Sequence, residues 1–277
     1  MRLLSAGDNV VDKYLTLGRM FPGGNAVNVA VFAARLGADT AYLGTLGNDD
    51  AGRVVLHALA QEGVGTDLVT IAAGPNAYAE IELIDGDRTF VHSDRGVAMF
   101  APHEAHFAAM EAYDVVHTAY SGPLIPHLHR MAERTKVSCD FGVRYTWDAV
   151  EGALPALYLA AFSAGERSDS EAKQFAQDAV AAGARHAVVT RGERGAYFAS
   201  SAGVRHQDAD RVVVRDTLGA GDAYIATLLV GLLAGRSEEK VLASAASHAA
   251  QVCLSHGAFG YETPLPEPAA ASPAAQR

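Results

Sequence analysis

Residues 23–37 read Gly-Gly-Asn-Ala-Val-Asn-Val-Ala-Val-Phe-Ala-Ala-Arg-Leu-Gly. Residues 25–36 form a predicted helix, with Gly37 at the position that commonly ends one. Its apolar residues, Ala26, Val27, Val29, Ala30, Val31, Phe32 and Leu36, run nearly all the way round. A helix without a broad polar face belongs inside a layered fold. Working outward, residues 2–7 read as a short buried strand, 40–45 as a strand and 51–61 as a helix before Gly63. Beyond residue 100, short apolar runs at 113–117, 137–141, 157–162 and 186–190 alternate with helix-length segments. This βα rhythm predicts an α/β fold: a mostly parallel sheet with helices on both faces. Two long helices are expected near 220–234 and 238–254.

Between residues 63 and 100 the pattern changes. Residues 77–84 and 88–93 alternate apolar and polar side chains around Asp85-Gly86-Asp87, a hairpin signal. Residues 11–18 add another extended piece with the same half-exposed character. The Pro/Ala-rich stretch 263–277 is expected to be a loose tail. No internal repeat or linker breaks residues 1–262, which read as one domain.

The chain has 277 residues and a formal net charge of −10. That balance disfavours a nucleic-acid partner. Two cysteines, Cys139 and Cys253, make no disulfide framework and suit a reducing compartment. The N-terminal residues reach Asp8 too soon for a signal peptide. The uncharged run 223–235 falls short of the roughly 20 residues that span a bilayer. A soluble, cytoplasmic protein with no membrane partner is expected.

The strongest local signal is Asp216-Thr217-Leu218-Gly219-Ala220-Gly221-Asp222, followed at once by an apolar helix. Small residues let backbone N–H groups converge at a helix N-terminus, where the dipole favours an anion. A carboxylate in that turn repels a bound phosphate, yet it makes sense as a general base beside a phosphoryl group in transfer. The plain alternative is a Gly-rich turn in which Asp222 steadies the first helical turn. Near the N-terminus, Gly23 and Gly24 permit close backbone approach, and Asn25 and Asn28 lie one helical turn apart. Carboxamides suit sugar hydroxyls; the alternative is Asn25 as a helix cap and Asn28 as a satisfied buried amide. Asp8 and Asp12 follow the first strand, where open α/β sheets bind ligands; solvated loop carboxylates are the other reading.

Taken together, these residues resemble the ribokinase-like (PfkB) carbohydrate kinases over roughly residues 1–260. The stretch Gly23-Gly24-Asn25-Ala26-Val27-Asn28, with Gly44-Thr45-Leu46-Gly47-Asn48-Asp49-Asp50-Ala51-Gly52 downstream, is similar to the N-terminal signature, and residues 216–222 to the C-terminal one. Gly7-Asp8-Asn9-Val10-Val11-Asp12, Asp87-Arg88-Thr89-Phe90, Tyr113-Asp114-Val115-Val116-His117, Asp140-Phe141-Gly142 and His256-Gly257-Ala258 narrow the resemblance to the branch acting on fructoselysine. The resemblance implies a three-layer α/β/α sandwich with a β lid, and ATP-dependent phosphorylation of a primary hydroxyl on a sugar or fructosamine. It implies Asp222 as base, and Gly219, Ala220 and Gly221 as the anion hole. Asp12, Gly24 and Asn28 match the sugar-binding positions, with Asp8, Gly23 and Asn25 beside them. Thr190, Gly192 and Gly195 are expected to border the nucleotide. Ser163-Ala164-Gly165-Glu166 falls where the family has Asn-x-x-Glu; only Glu166 carries over, as the residue serving Mg²⁺. K⁺ near Asp216 and a homodimer paired through the lid complete the expectations. Fructose, ribose or a nucleoside as substrate, or a silent sensor of the same fold, are the rival readings.

Other constellations fail. His103-x-x-His106 and His127-x-His129 have no Cys or carboxylate at ligand spacing. There is no G-x-x-x-x-G-K-[ST], and no G-x-G-x-x-G follows the first strand.

Overall fold

A computed structural model describes residues 1–84, 87–143 and 145–265. The strands are β1 (Arg2–Ala6), β2 (Val10–Tyr14), β3 (Arg19–Gly23), β4 (Asp39–Gly47), β5 (Val69–Ala72), β6 (Tyr78–Ile84), β7 (Asp87–Asp94), β8 (Val115–Ala119), β9 (Lys136–Asp140), β10 (Leu159–Ser163), β11 (His186–Thr190), β12 (Ala196–Ser200), β13 (Gly203–Gln207) and β14 (Thr263–Pro264). The helices are α1 (Asn25–Arg35), α2 (Asp50–Gln61), α3 (Glu104–Met110), α4 (Leu128–Ala132), α5 (Trp147–Val150), α6 (Asp169–Ala181), α7 (Ala220–Leu233) and α8 (Glu238–Val252).

The large sheet runs β13-β12-β11-β10-β9-β8-β1-β4-β5. It is parallel from β11 to β5, and the β12–β13 hairpin adds antiparallel strands at one edge. Successive side chains of a strand point to opposite faces, so the apolar strands feed two cores. Leu3, Val115 and Val188 pack with α1, α2, α7 and α8. Their neighbours Leu4, Val116 and Val189 pack with α3, α4 and α6. The expected three-layer α/β/α sandwich is the fold. Helix α1 lies against both the sheet and α7, as its all-round apolar surface requires, and Ala26, Val27 and Val29 through Ala33 are buried.

The lid is a second sheet, ordered β14-β3-β2-β6-β7. It contains the expected strands, although residues 15–17 turn into a short 3₁₀ helix. It also contains β3, which pairs antiparallel with β2. Thr263 and Pro264, expected in the tail, instead pair with Met20 and Arg19. The hairpin's turn at Asp85-Gly86, Arg144, and residues 266–277 lie outside the described residues. Ile81 is fully buried within its own chain against Tyr14 and Phe21, so it needs no second subunit to cover it. No helix among the described residues is long and apolar enough to cross a membrane.

Candidate active site

In an open parallel sheet the chain leaves each strand at its carboxyl edge, and the order reverses where one connection goes left and the next right. Here β1 lies between β4 and β8, so the reversal falls beside β1. Asp8 follows β1, Ser121 follows β8, Asp140 ends β9, Ser163 ends β10 and Thr190 ends β11. The first turns of α1 and α7 and the lid strand β2 close the crevice from above.

Asp222 sits in the first turn of α7. Asn25 Nδ2 donates to its Oδ1 at 2.7 Å, and Asn28 Nδ2 donates to its Oδ2 at 2.6 Å. The two amides expected on one face of α1 therefore hold the carboxylate. Asn25 is not the helix cap: Gly24 occupies that position, in left-handed backbone (φ 99). A side chain at Gly24 would reach within 2.7 Å of Asn9 Cα, so only glycine lets α1 begin here. Asn28 Oδ1 is buried and has no hydrogen-bond partner among the described residues, which leaves one acceptor for a ligand hydroxyl. Asp12 is buried nearby. A Cβ built on Gly23 would lie 2.7 Å from Asp12 Oδ2 and 3.7 Å from Asn28 Oδ1, so those groups face one point that only glycine leaves open.

Asp8 caps α1. Its carboxylate accepts from the backbone N–H groups of Asn25 (3.3 Å) and Ala26 (3.1 Å) and from Ser121 Oγ (2.9 Å). A carboxylate has about four acceptor positions, so roughly one remains. Asp8 also lines a cavity of about 170 Å³ under the lid, with Val10, Ala77, Ala79 and Ser121, and with Asp94 and Arg95 among its wall residues. A larger open hollow of about 500 Å³ beside Arg53 and Tyr261 shares no residue with the Asp222 constellation.

The sequence reading gave no role to Asp140, His117 and Ser138. Asn25 Nδ2 also donates to Asp140 Oδ2 at 2.9 Å, and Asp140 Oδ1 accepts from the Gly142 N–H at 2.8 Å. His117 Nε2 lies 2.8 Å from Asn25 Oδ1, and Nδ1 lies 3.0 Å from Ser138 Oγ. Burial pushes Asp222 up to about 7, aided by the charges of Asp140 and Asp8 and opposed by the two amide hydrogen bonds. Burial likewise raises Asp140 to about 6 and lowers His117 to about 3. A carboxylate poised near neutrality, at a helix N-terminus, can take a proton at working pH.

Gly219 is the left-handed cap of α7, packed on Ala258. A Cβ on Gly221 would meet nothing within 4 Å among the described residues, so that side of the first turn of α7 is open. Asp216 is buried below this turn. It accepts from the N–H groups of Leu218 and Gly257, both at 3.0 Å, and from the Tyr14 hydroxyl. Glu166 is exposed beyond β10. Thr190 and Ser163 face each other, their hydroxyl oxygens 3.4 Å apart. Gly192 is exposed, whereas Gly195 abuts the Gln207 carbonyl and serves the β12–β13 hairpin. No cluster of three or more potential metal ligands occurs among the described residues. The rings of His103 and His106 lie against each other, tilted by 31°.

Residues 8–264 match the profile of the pfkB family carbohydrate kinases. The chain is 36% identical over 269 residues to fructosamine kinase FrlD of Bacillus subtilis, spanning 95% of each protein. It is 35% identical over 261 residues to fructoselysine 6-kinase of Escherichia coli, spanning 93% of this chain and 99% of that one. Among solved structures, Arabidopsis thaliana ribokinase complexed with ribose and ATP superposes with a TM-score of 0.80 at 21% identity, covering 93% of this chain and 94% of that one. A Xylella fastidiosa fructokinase with bound ATP gives 0.77 at 20% identity, covering 93% and 94%. A profile match over nearly the whole chain, joined to relatives above one-third identity along almost their full length, shows that this chain belongs to the PfkB family of carbohydrate kinases.

Proposed function

We propose that this sugar kinase phosphorylates a primary hydroxyl of a fructosamine, with fructoselysine at O6 as the foremost candidate and Asp222 as general base. The observation that carries the reading is the Asp222 carboxylate, held by two amides at the N-terminus of α7 with a proton affinity near neutrality. ATP with Mg²⁺, when bound, supplies the electrophilic phosphoryl group. Asp222 takes the proton of the acceptor hydroxyl. The N–H groups of Gly219, Ala220 and Gly221 stabilise the charge that develops on the phosphoryl oxygens. The open space over Gly221 fits such a group. Thr190, Gly192 and Gly195 border the nucleotide in this reading, and Glu166 faces Mg²⁺, which commonly relies on phosphate oxygens and one or two carboxylates. The role of K⁺ near Asp216 rests on the resemblance; in the structure that carboxylate accepts from the Leu218 and Gly257 N–H groups and the Tyr14 hydroxyl. The two cysteines are free and buried, in keeping with a cytoplasmic setting.

Asn28 Oδ1 and Asp12 would take sugar hydroxyls, with Gly23 and Gly24 letting the ring approach. The cavity beyond Asp8 gives an aminoacyl tail somewhere to lie, which a plain hexose does not need. The identities of the two fructosamine-acting relatives support the same substrate class. A charge-assisted hydrogen bond to the substrate's secondary ammonium is worth about 1.5–3 kcal/mol, or roughly ten- to hundredfold. kcat/KM measured on fructoselysine should therefore exceed that on fructose or ribose by at least about tenfold. Asp8→Asn should narrow the gap; equal losses on both substrates would assign Asp8 to the scaffold alone. A preference for the plain sugar would defeat the fructosamine reading.

We also infer a homodimer paired through the lid. Phe90 and Val91 are 63% and 52% exposed on β7, the edge strand of the small sheet. Exposed apolar side chains on an unpaired edge invite another chain. Light scattering should give twice the chain mass at micromolar concentration, and Phe90→Lys should return it to one chain mass. A monomeric, fully active wild type would end this idea.

A further inference from the structure

Asn25 is a swivel. Its amide has two orientations that differ by exchanging oxygen and nitrogen, and only one presents N–H groups to both Asp140 and Asp222. In the structure both carboxylates receive that NH₂ group, at 2.9 and 2.7 Å, while the carbonyl end faces His117 Nε2 at 2.8 Å. His117 is fully buried and is kept neutral by burial, so its ring carries one N–H. If that proton sits on Nε2, it bonds Asn25 Oδ1, and Nδ1 accepts from the Ser138 hydroxyl at 3.0 Å. If it sits on Nδ1, two lone pairs oppose each other at 2.8 Å. Turning Asn25 over instead would aim its carbonyl at two carboxylates. Only the first assignment satisfies the whole chain from Ser138 through His117 and Asn25 to the acids. Strand register supplies the alignment: His117 on β8 pairs with Ser138 on β9, and Asp140 follows two residues later on the same face.

We propose that His117, set by Ser138, is a positioning residue that locks the Asn25 amide with its NH₂ toward Asp140 and Asp222. The proposal rests on Asp222 as base for its effect on rate, but not for its effect on the carboxylate. The charged or polar groups facing Asp222 are Asp140, Asp8, Asn25 and Asn28. Of these, the Asn28 N–H and, to a lesser degree, the Asn25 N–H lower its proton affinity, whereas both neighbouring acids raise it. Removing the lock frees the amide to swivel, weakens the Asn25 N–H contact and leaves the two repulsions in place.

The test compares wild type, His117→Leu and His117→Gln. Glutamine keeps an N–H that reaches Asn25 Oδ1, and leucine does not. In His117→Leu the acid limb of kcat/KM should move up by about one pH unit. Activity would then fall several-fold at about pH 7 and nearly recover at about pH 9. His117→Gln should restore the limb. The Asp222 carboxyl followed by ¹³C NMR should shift its midpoint upward in parallel. A carbon midpoint that moves without the rate limb sustains the lock and refutes Asp222 as base. An unmoved midpoint, or a loss equal at every pH, overturns the lock. Should His117→Leu fail to fold, ¹⁵N NMR of the wild-type ring decides instead: a neutral Nε2–H tautomer from about pH 8 to about pH 9, where both acids are ionised, supports the proposal, and an Nδ1–H tautomer or a charged ring overturns it.

Discussion

Asp222→Asn is expected to lower kcat by about 10²–10⁴ while the protein remains folded, the usual loss when a positioned general base disappears. The replacement keeps volume and leaves an oxygen for Asn25 Nδ2. Its new NH₂ group would oppose Asn28 Nδ2, but the Asn28 amide can turn over, because its Oδ1 has no partner to lose. Stability should move the other way from activity. In the folded chain burial lifts Asp222 from the usual carboxylate range to about 7, helped by Asp140 and Asp8. Between about pH 4 and about pH 7 the unfolded chain has released this proton and the folded chain still holds it. Each step up in pH therefore favours unfolding, until the folded group ionises as well. Asparagine removes that slope. The Tm of the variant relative to wild type should rise from about pH 5 to about pH 8, by on the order of a few degrees. In wild type, kcat/KM should fall as pH drops through about 7, because the base is then protonated. A variant with near wild-type kcat would remove Asp222 from the chemistry. A Tm difference independent of pH would show that its burial carries no electrostatic cost.

The parts of this site that were legible in the sequence are those with a local signature. Helix α1 announces itself by an apolar surface on all sides, and Asn25 and Asn28 share a face because helical spacing puts them there. Residues 216–222 combine glycines, a carboxylate and an apolar helix within a few positions. Asp140, His117 and Ser138 have no such signature. Each is a polar residue in a short inner strand of the sheet, where a satisfied core group is the ordinary reading. Their meaning comes from β8 and β9 lying side by side and from α1 reaching over their ends, which is tertiary information. The alternation of Ser138 and Asp140 was the one available hint that a polar face runs along β9. Strand β3 was missed for a different reason. Phe21-Pro22-Gly23 reads as a turn, yet Pro22 lacks only a donor, and β14 covers β3 at Arg19 and Met20, leaving that side of Pro22 without a ladder partner. The β12–β13 hairpin was missed because its two-residue connection, Ser201-Ala202, carries no Asn-Gly or Asp-Gly signal. The two amides were expected to read sugar hydroxyls. In the structure their NH₂ groups meet Asp222, since two carboxamides one turn apart fit one carboxylate, and the oxygen of Asn28 stays available to a hydroxyl.

Gly219→Ala and Gly221→Ala, two residues apart in one turn, should behave in opposite ways. Gly219 has left-handed backbone (φ 78), and a Cβ there would come within 2.5 Å of the Ala258 Cβ and 3.0 Å of its Cα. Neither neighbour atom can swing away, so the start of α7 must shift, and Asp222 lies three residues along it. The left-handed strain costs roughly 1 kcal/mol and the clash adds to it. A displacement of about 1 Å in a reacting group costs about 10²-fold in rate. Gly219→Ala should therefore lose stability and about two orders of magnitude in kcat together. Gly221 is exposed and lies within α7, and a methyl group added to it would meet nothing within 4 Å. In a helix alanine is favoured over glycine by roughly 0.5–1 kcal/mol, so Gly221→Ala should match or exceed wild-type stability. Its methyl group would nonetheless stand where the transferring phosphate is read to approach, and kcat should fall sharply on a protein that melts no lower. The two Tm values thus separate strain in the scaffold from obstruction of the anion site. If Gly221→Ala keeps full activity, the phosphate does not pass over this turn, and residues 219–221 are a helix start without an anion to hold.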